Sequence, residues 1–285
     1  MGGKDEQIDM LNMQKTQKYR LAAIDLDETI LGPDSNLSDY AAGVLRAMAE
    51  KNVKVVVCTG RPYVSSLLYL RRIGLNNPCI FCNGAQIRGA LDGKIFHELP
   101  LPIEEAKLAI RLGEEAGAHP RVYVDDRICV SHIIEGDTMY SDRTGSTIEA
   151  VGDLCAFLDK PPVKIINFVS DPKLVPTLVE KSARVFLDRL YITQSVSINR
   201  AIFVEYMNAK ASKGKGLRKV ADMWGVEKDE IVAAGDSLND LTMFAEAGLS
   251  IAPQNALPSV LEAASVVCPG NAEDGVAKKL AEIFL

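Results

Sequence analysis

Asp25 and Asp27 stand two residues apart directly behind the apolar run Leu21-Ala22-Ala23-Ile24, in the segment D-L-D-E-T at 25–29. Alternate residues of an extended chain face the same way, so two carboxylates gather at the end of an apolar strand. Charge is costly there unless a cation or a reaction uses it. Matching parts follow downstream: T-G-R at 59–61, S-K-G at 212–214 and G-D-S-L-N-D at 235–240. Carboxylates to hold a hard cation, with a hydroxyl and a lysine to meet an anion, are the makings of charge-driven chemistry on an anionic substrate.

Such residues need a scaffold, and the apolar pattern supplies one. Short β-rich runs cover 21–24, 55–58, 79–82, 231–234, 249–252 and 266–268, most of them ending in small or polar residues. Runs of this length suit strands buried on both faces. Between them lie helical patterns. Ser38 can cap a helix bearing Ala41, Val44, Leu45 and Met48 on one face and ending near Lys51-Asn52, and Leu217, Val220, Ala221 and Trp224 form another stripe. Strand alternating with helix predicts a parallel sheet covered on both sides, with its ligand crevice beyond the carboxyl ends of the strands.

From about Gln86 to Asn199 the pattern changes. Strands alternate more and pair as hairpins: 86–88 with 94–98, 121–124 with 128–130, and 191–196 with 202–206. Helices are predicted at 103–116, 148–158 and 172–186. The expected organisation is a leader at 1–18, a discontinuous α/β core at 19–86 and 200–285, and an inserted smaller α/β module at 87–199.

A net charge of −6 and no visible basic cluster argue against nucleic acid as a partner. No apolar run approaches the roughly 20 residues needed to span a bilayer, so no membrane role is expected. The N-terminal 18 residues lack the apolar segment of a secretory signal. Six cysteines are scattered through apolar stretches, and the single C-x-x-C at Cys79 and Cys82 has no second pair at metal-ligand spacing. Reduced thiols in a cytoplasmic protein are the simplest expectation. The sequence names no protein partner.

Taken in order, D-L-D-E-T, T-G-R, S-K-G and G-D-S-L-N-D resemble the four motifs of the haloacid dehalogenase superfamily, and the long insertion resembles the cap of its Cof-type, subfamily IIB, hydrolases. Asn83-Gly84-Ala85 and the segment 271–277 agree with that resemblance. It implies a Rossmann-like parallel-sheet core with an inserted α/β cap, and a Mg²⁺-dependent phosphatase acting on a small phosphorylated metabolite through an aspartyl-phosphate. By resemblance Asp25 is the nucleophile and Asp27 the general acid/base. Asp25 and Asp236 give side-chain oxygens to Mg²⁺, Asp27 its backbone carbonyl, and Asp240 a direct or water-mediated contact. Thr59, Lys213 and Asn239 meet the phosphoryl group, and Gly60, Arg61, Asn83 and Gly84 are further phosphate or substrate contacts. Arg88, Arg127, His132 and Arg143 are secondary candidates within the cap. Two positions depart from the family pattern: Glu28 stands where Gly is usual, and Pro253-Gln254 replaces Met-Gly. A sugar phosphomutase using the same aspartyl-phosphate, and a non-catalytic phosphometabolite-binding protein, are the alternatives.

Overall fold

The computed structural model describes residues 18–196 and 202–285. The expected leader, up to residue 17, and the expected domain boundary at 199–200 lie outside the described residues. Packing divides the chain into two compact units, Met1–Val57 with Leu217–Leu285, and Cys58–Gly216. Among the described residues no helix is long and apolar enough to cross a membrane.

The strands in chain order are β1 (Leu21–Ile24), β2 (Lys54–Val57), β3 (Pro78–Phe81), β4 (Gln86–Gly89), β5 (Ile95–Glu98), β6 (His119–Val124) and β7 (Arg127–Val130). There follow β8 (Ile148–Ala150), β9 (Lys164–Val169), β10 (Leu190–Val196), β11 (Ile202–Asn208), β12 (Ile231–Ala234), β13 (Leu249–Pro253) and β14 (Val266–Cys268).

The first unit is built on a parallel five-stranded sheet in the order β14-β13-β12-β1-β2. All four residues of β1 and of β12 are buried, as an apolar run covered on both faces requires. Ile24 is the register partner of both Ala234 and Val57, so β1 and β12 end level and hand Asp25 and Gly235-Asp236 to the same edge. The helix Asp39–Glu50 starts as expected: the Ser38 hydroxyl accepts the Ala41 N–H at 2.9 Å, satisfying a donor the helix cannot. It buries Ala41, Ala42, Val44, Leu45 and Met48 and stops where Asn52 turns left-handed at φ 65°.

The second unit carries a six-stranded sheet in the order β10-β11-β9-β6-β7-β8 and a three-stranded antiparallel sheet β3-β4-β5. The three predicted hairpins form with antiparallel pairing. Between β6 and β7 the two-residue turn Asp125-Asp126 has φ of 49° and 60°, a twist that matches the strands it joins and that Asp tolerates. One face of the larger sheet (Val122, Val124, Ile165, Val169, Val204 and Tyr206) packs against the helices Ile103–Glu115, Leu154–Phe157 and Val175–Phe186.

Three features differ from the sequence reading. The 79–82 run does not extend a parallel ladder. β3 pairs antiparallel with β4, because Cys82, Asn83 and Gly84 take φ of 50°, 52° and 95° in succession and reverse the chain; a lone parallel bridge links Ile80 to Cys58. The predicted 148–158 helix is the strand β8 followed by the one-turn helix Leu154–Phe157, interrupted by Gly152 at φ 78° and restarted by Asp153, whose carboxylate accepts the Ala156 N–H at 3.0 Å. A helix at Glu135–Thr144 has no strong apolar stripe to betray it; Asp137 ties down its start by accepting the Ile134 N–H at 3.0 Å.

Candidate active site

In the first unit the chain leaves β1 through an irregular turn, Leu26–Ile30, in which Asp27 is extended and Glu28 left-handed at φ 53°. Asp25 stands at the strand end, 5% exposed, with its N–H bound to the Ala234 carbonyl at 3.0 Å. Across from it, the turn after β12 supplies Asp236 and Asp240. Gly235 is required there by contact rather than by conformation: a Cβ would lie 2.3 Å from the Asp240 carboxyl carbon. Asp240 is fully buried, and one of its oxygens accepts the N–H groups of Asp236 and Ser237, both at 3.0 Å. Asp236 receives the Thr29 hydroxyl at 2.6 Å on one oxygen and the Ser237 hydroxyl at 3.0 Å on the other.

Asp25, Asp236 and Asp240 each present a carboxylate oxygen, and these atoms lie within 4.8 Å of one another. Three buried carboxylates this close repel strongly unless a cation joins them. The donors are all hard oxygens, the set that suits Mg²⁺, so the residues fit the implied ion. The Asp27 side chain is half-buried and is not one of these three ligands. Asn239 is half-buried in the same turn as Asp236 and Asp240.

Glu28 is bonded to Asn255, the residue that follows the departure at 253–254. Asn255 donates to the Glu28 carbonyl at 2.7 Å, and Asn271 donates to the Leu31 carbonyl at 2.9 Å and to the Glu28 carboxylate at 3.4 Å. These contacts hold a non-glycine residue in the left-handed conformation that explains why Gly is the easier choice there.

In the second unit the other expected residues come together. Thr59, fully buried, binds the Ile80 carbonyl through its N–H at 2.9 Å and accepts the Asn83 N–H at 3.1 Å, while its hydroxyl accepts the Arg61 N–H at 3.1 Å. The Arg61 carbonyl accepts the Cys82 N–H at 3.0 Å, and the guanidinium lies over the Tyr69 ring. Gly60 packs on the Asn83 side chain. Lys213, 1% exposed, is the first residue of the helix Lys213–Met223, whose N-terminus is capped by the Ser212 hydroxyl accepting the Lys215 N–H at 3.2 Å. Free N–H groups and the helix dipole favour an anion at such an end.

Gly84 lets this helix start approach the turn. At φ 95° a Cβ on it would fall 2.1 Å from the Ser212 carbonyl oxygen. Gly84→Ala is therefore expected to destabilise the fold by about 2–4 kcal/mol, from backbone strain and steric displacement together. An unchanged urea midpoint and slope would contradict that packing.

The secondary candidates separate. Arg88, 6% exposed, pairs with both oxygens of Asp126, donates to the Gly93 carbonyl at 3.0 Å and stacks on Tyr63, so it clamps two hairpins together. Arg88 and Arg127 border a cavity of about 310 Å³, with Tyr63, Gln86 and Glu98 among its other walls; Thr59, Asn83 and Lys213 do not line it. His132 is exposed beside Ser131, and Arg143 lies over the Tyr140 ring. None of the six cysteines is in a disulfide; Cys79 and Cys82 are buried, and burial pushes the Cys82 thiol up to about 12, away from the reactive thiolate. The sequence reading missed Lys164 and Glu205, a buried ion pair at 2.7 Å. Their signal was a lone charge inside each of two apolar strands, β9 and β11.

The parallel α/β sheet gathers three buried carboxylates beyond the carboxyl ends of its strands, a donor set that could hold a metal ion. Residues 22–280 match the haloacid dehalogenase-like hydrolase family, and the chain belongs to it. The Bacillus subtilis 5-amino-6-(5-phospho-D-ribitylamino)uracil phosphatase YitU is 29% identical over 281 residues, covering 95% of this chain and 99% of its own. The Escherichia coli pyridoxal phosphate phosphatase YbhA is 25% identical, covering 91% and 96%. In fold, a haloacid dehalogenase-like hydrolase from Bacteroides thetaiotaomicron superposes with a TM-score of 0.84 at 21% identity, over 94% of this chain and 100% of its own.

Proposed function

We propose that this hydrolase is a Mg²⁺-dependent phosphatase of small phosphorylated metabolites, working through an aspartyl-phosphate on Asp25. The observation that carries the reading is the trio Asp25, Asp236 and Asp240, buried and with ligand oxygens within 4.8 Å of one another. Two full-length relatives named as phosphatases of small phosphorylated compounds support the substrate class. Residues 87–199, in this reading, are the module that selects among such compounds, and the cytoplasm is where they are met.

When bound by Asp25, Asp236, Asp240 and the Asp27 carbonyl, Mg²⁺ screens the negative charge of carboxylate and phosphate from each other. The Asp25 oxygen attacks phosphorus and the bond to the ester oxygen breaks, with Asp27 giving that oxygen its proton. Asp27 then takes a proton from a water, whose oxygen attacks the phosphorus of the aspartyl-phosphate; inorganic phosphate leaves and the Asp25 carboxylate is restored. In this reading, which follows the family's motifs, Thr59, Lys213 and Asn239 meet the phosphoryl oxygens, and Gly60, Arg61, Asn83 and Gly84 are further phosphate or substrate contacts. Phosphoryl transfer gains chiefly from such positioning and charge stabilisation.

Release of inorganic phosphate across a panel of sugar, nucleotide and cofactor monoesters tests the reading. Turnover of at least one class is expected. Isomerisation of glucose 1-phosphate or mannose 1-phosphate without phosphate release would mark a mutase, and binding without turnover a non-catalytic protein. Asp27→Asn is expected to lower kcat/KM, which covers the steps up to release of the leaving group, by about 10²–10⁴-fold for alkyl phosphates and much less for 4-nitrophenyl phosphate, whose leaving oxygen needs no proton. An equal loss for both substrates would remove Asp27 from the acid role.

A further inference from the structure

We propose that Lys164, charge-balanced by Glu205, is the positioning residue of the Thr59-Gly60-Arg61 segment and holds it through the Gly60 carbonyl. The proposal rests on the reading of Thr59 as a phosphoryl contact.

Lys164 lies on β9, 2% exposed, and its ammonium donates to the Gly60 carbonyl at 2.9 Å and pairs with Glu205 on β11 at 2.7 Å. Glu205 faces Ile166 in the ladder, which makes it the diagonal neighbour of Lys164 on the face turned away from the helix-covered core. Its second oxygen accepts the Ser195 hydroxyl at 2.6 Å. Burial, the largest single influence, works against the charge on Lys164, but the opposing influences, led by the Glu205 carboxylate, together hold the ammonium above its usual range.

A buried ion pair is a poor device for stability alone, since apolar residues of like size commonly serve as well. What apolar residues cannot supply is a donor for Gly60. That carbonyl is the hinge of the local network. On one side of it the Thr59 hydroxyl accepts the Arg61 N–H, and on the other the Thr59 carbonyl accepts the Asn83 N–H. A shift of Gly60 moves the Thr59 hydroxyl with it, and misplacement by about 1 Å in such a site costs on the order of 100-fold in rate.

Two neutral double variants isolate the hydrogen bond from the charge. Lys164→Met with Glu205→Met removes the donor; Lys164→Gln with Glu205→Gln keeps an N–H able to reach Gly60. Both are expected to melt close to the wild type. The Met pair should lose about 100-fold in kcat, with faster amide exchange at Gly60, Arg61 and Asn83, and the Gln pair should recover most of both. Equal kcat and equal exchange in the two pairs would overturn the proposal and leave Lys164 a partner of Glu205 only. Should the wild type turn over no phosphoester, the phosphatase reading fails while the exchange comparison still decides the positioning role. If either pair does not fold, exchange at Gly60 in the single variant Lys164→Gln against Lys164→Met decides it in the same direction.

Discussion

Asp25→Asn is expected to reduce phosphate release by at least about 10⁴-fold, the scale of losing a nucleophile, with no loss of fold. Asparagine has nearly the volume of aspartate and leaves the backbone bond from residue 25 to the Ala234 carbonyl in place. It lacks the anionic oxygen that would attack phosphorus. The same substitution removes one of three carboxylates held within 4.8 Å. In chelator the variant should melt close to the wild-type temperature, because asparagine fills the same space, which separates loss of chemistry from loss of structure. Activity above about 1% of wild type, measured with a sensitive phosphate assay, would show that Asp25 is not the attacking group.

Chelation should be as decisive. Exhaustive EDTA treatment is expected to bring turnover to background, and added Mg²⁺ to restore it. In the proposed scheme the ion would bind the folded trio and find no preformed site in the unfolded chain, so added Mg²⁺ is also expected to stabilise. At a hundred times its Kd the gain is about 2.7 kcal/mol, roughly 5–10 °C in melting temperature for a chain of this size. Asp236→Asn should shrink that shift as well as the activity, because Asp236 is fixed toward the trio by Thr29 and Ser237. Full turnover after chelation, or a melting temperature indifferent to Mg²⁺, would remove the ion from the scheme.

Legibility in the sequence followed the strength of local signals. β1 and β12 are short apolar runs ending in Asp-rich turns, and the parallel sheet built on them forms as expected. The three hairpins and the Ser38 cap were legible because alternation and capping chemistry are read within a few residues. Less visible were features set by distant partners. Nothing in Cys79–Cys82 announces that three successive left-handed residues will turn β3 back onto β4. Ile148–Leu158 carries helix-compatible residues, yet pairing with β7 made its first part a strand. Glu135–Thr144 forms with little apolar periodicity, held by Asp137, which also binds Arg121 at 2.8 Å. Among the candidate residues, resemblance to the family's motifs named Asp25, Asp236 and Asp240 together with Asp27, and the structure gathers the carboxylates of the first three. Lys164 and Glu205 were not, since a charge within an apolar strand shows its use only when its partner is known.

The most direct single measurement is acid quenching during turnover, followed by mass mapping of the phosphorylated peptide. Wild-type enzyme mixed with 4-nitrophenyl phosphate and Mg²⁺ should carry phosphate on the peptide containing Asp25. Asp27→Asn should carry more, because the water that discharges the aspartyl-phosphate loses its base. Inorganic phosphate released with that peptide unmodified throughout, or with phosphate found on another residue, would contradict the assignment.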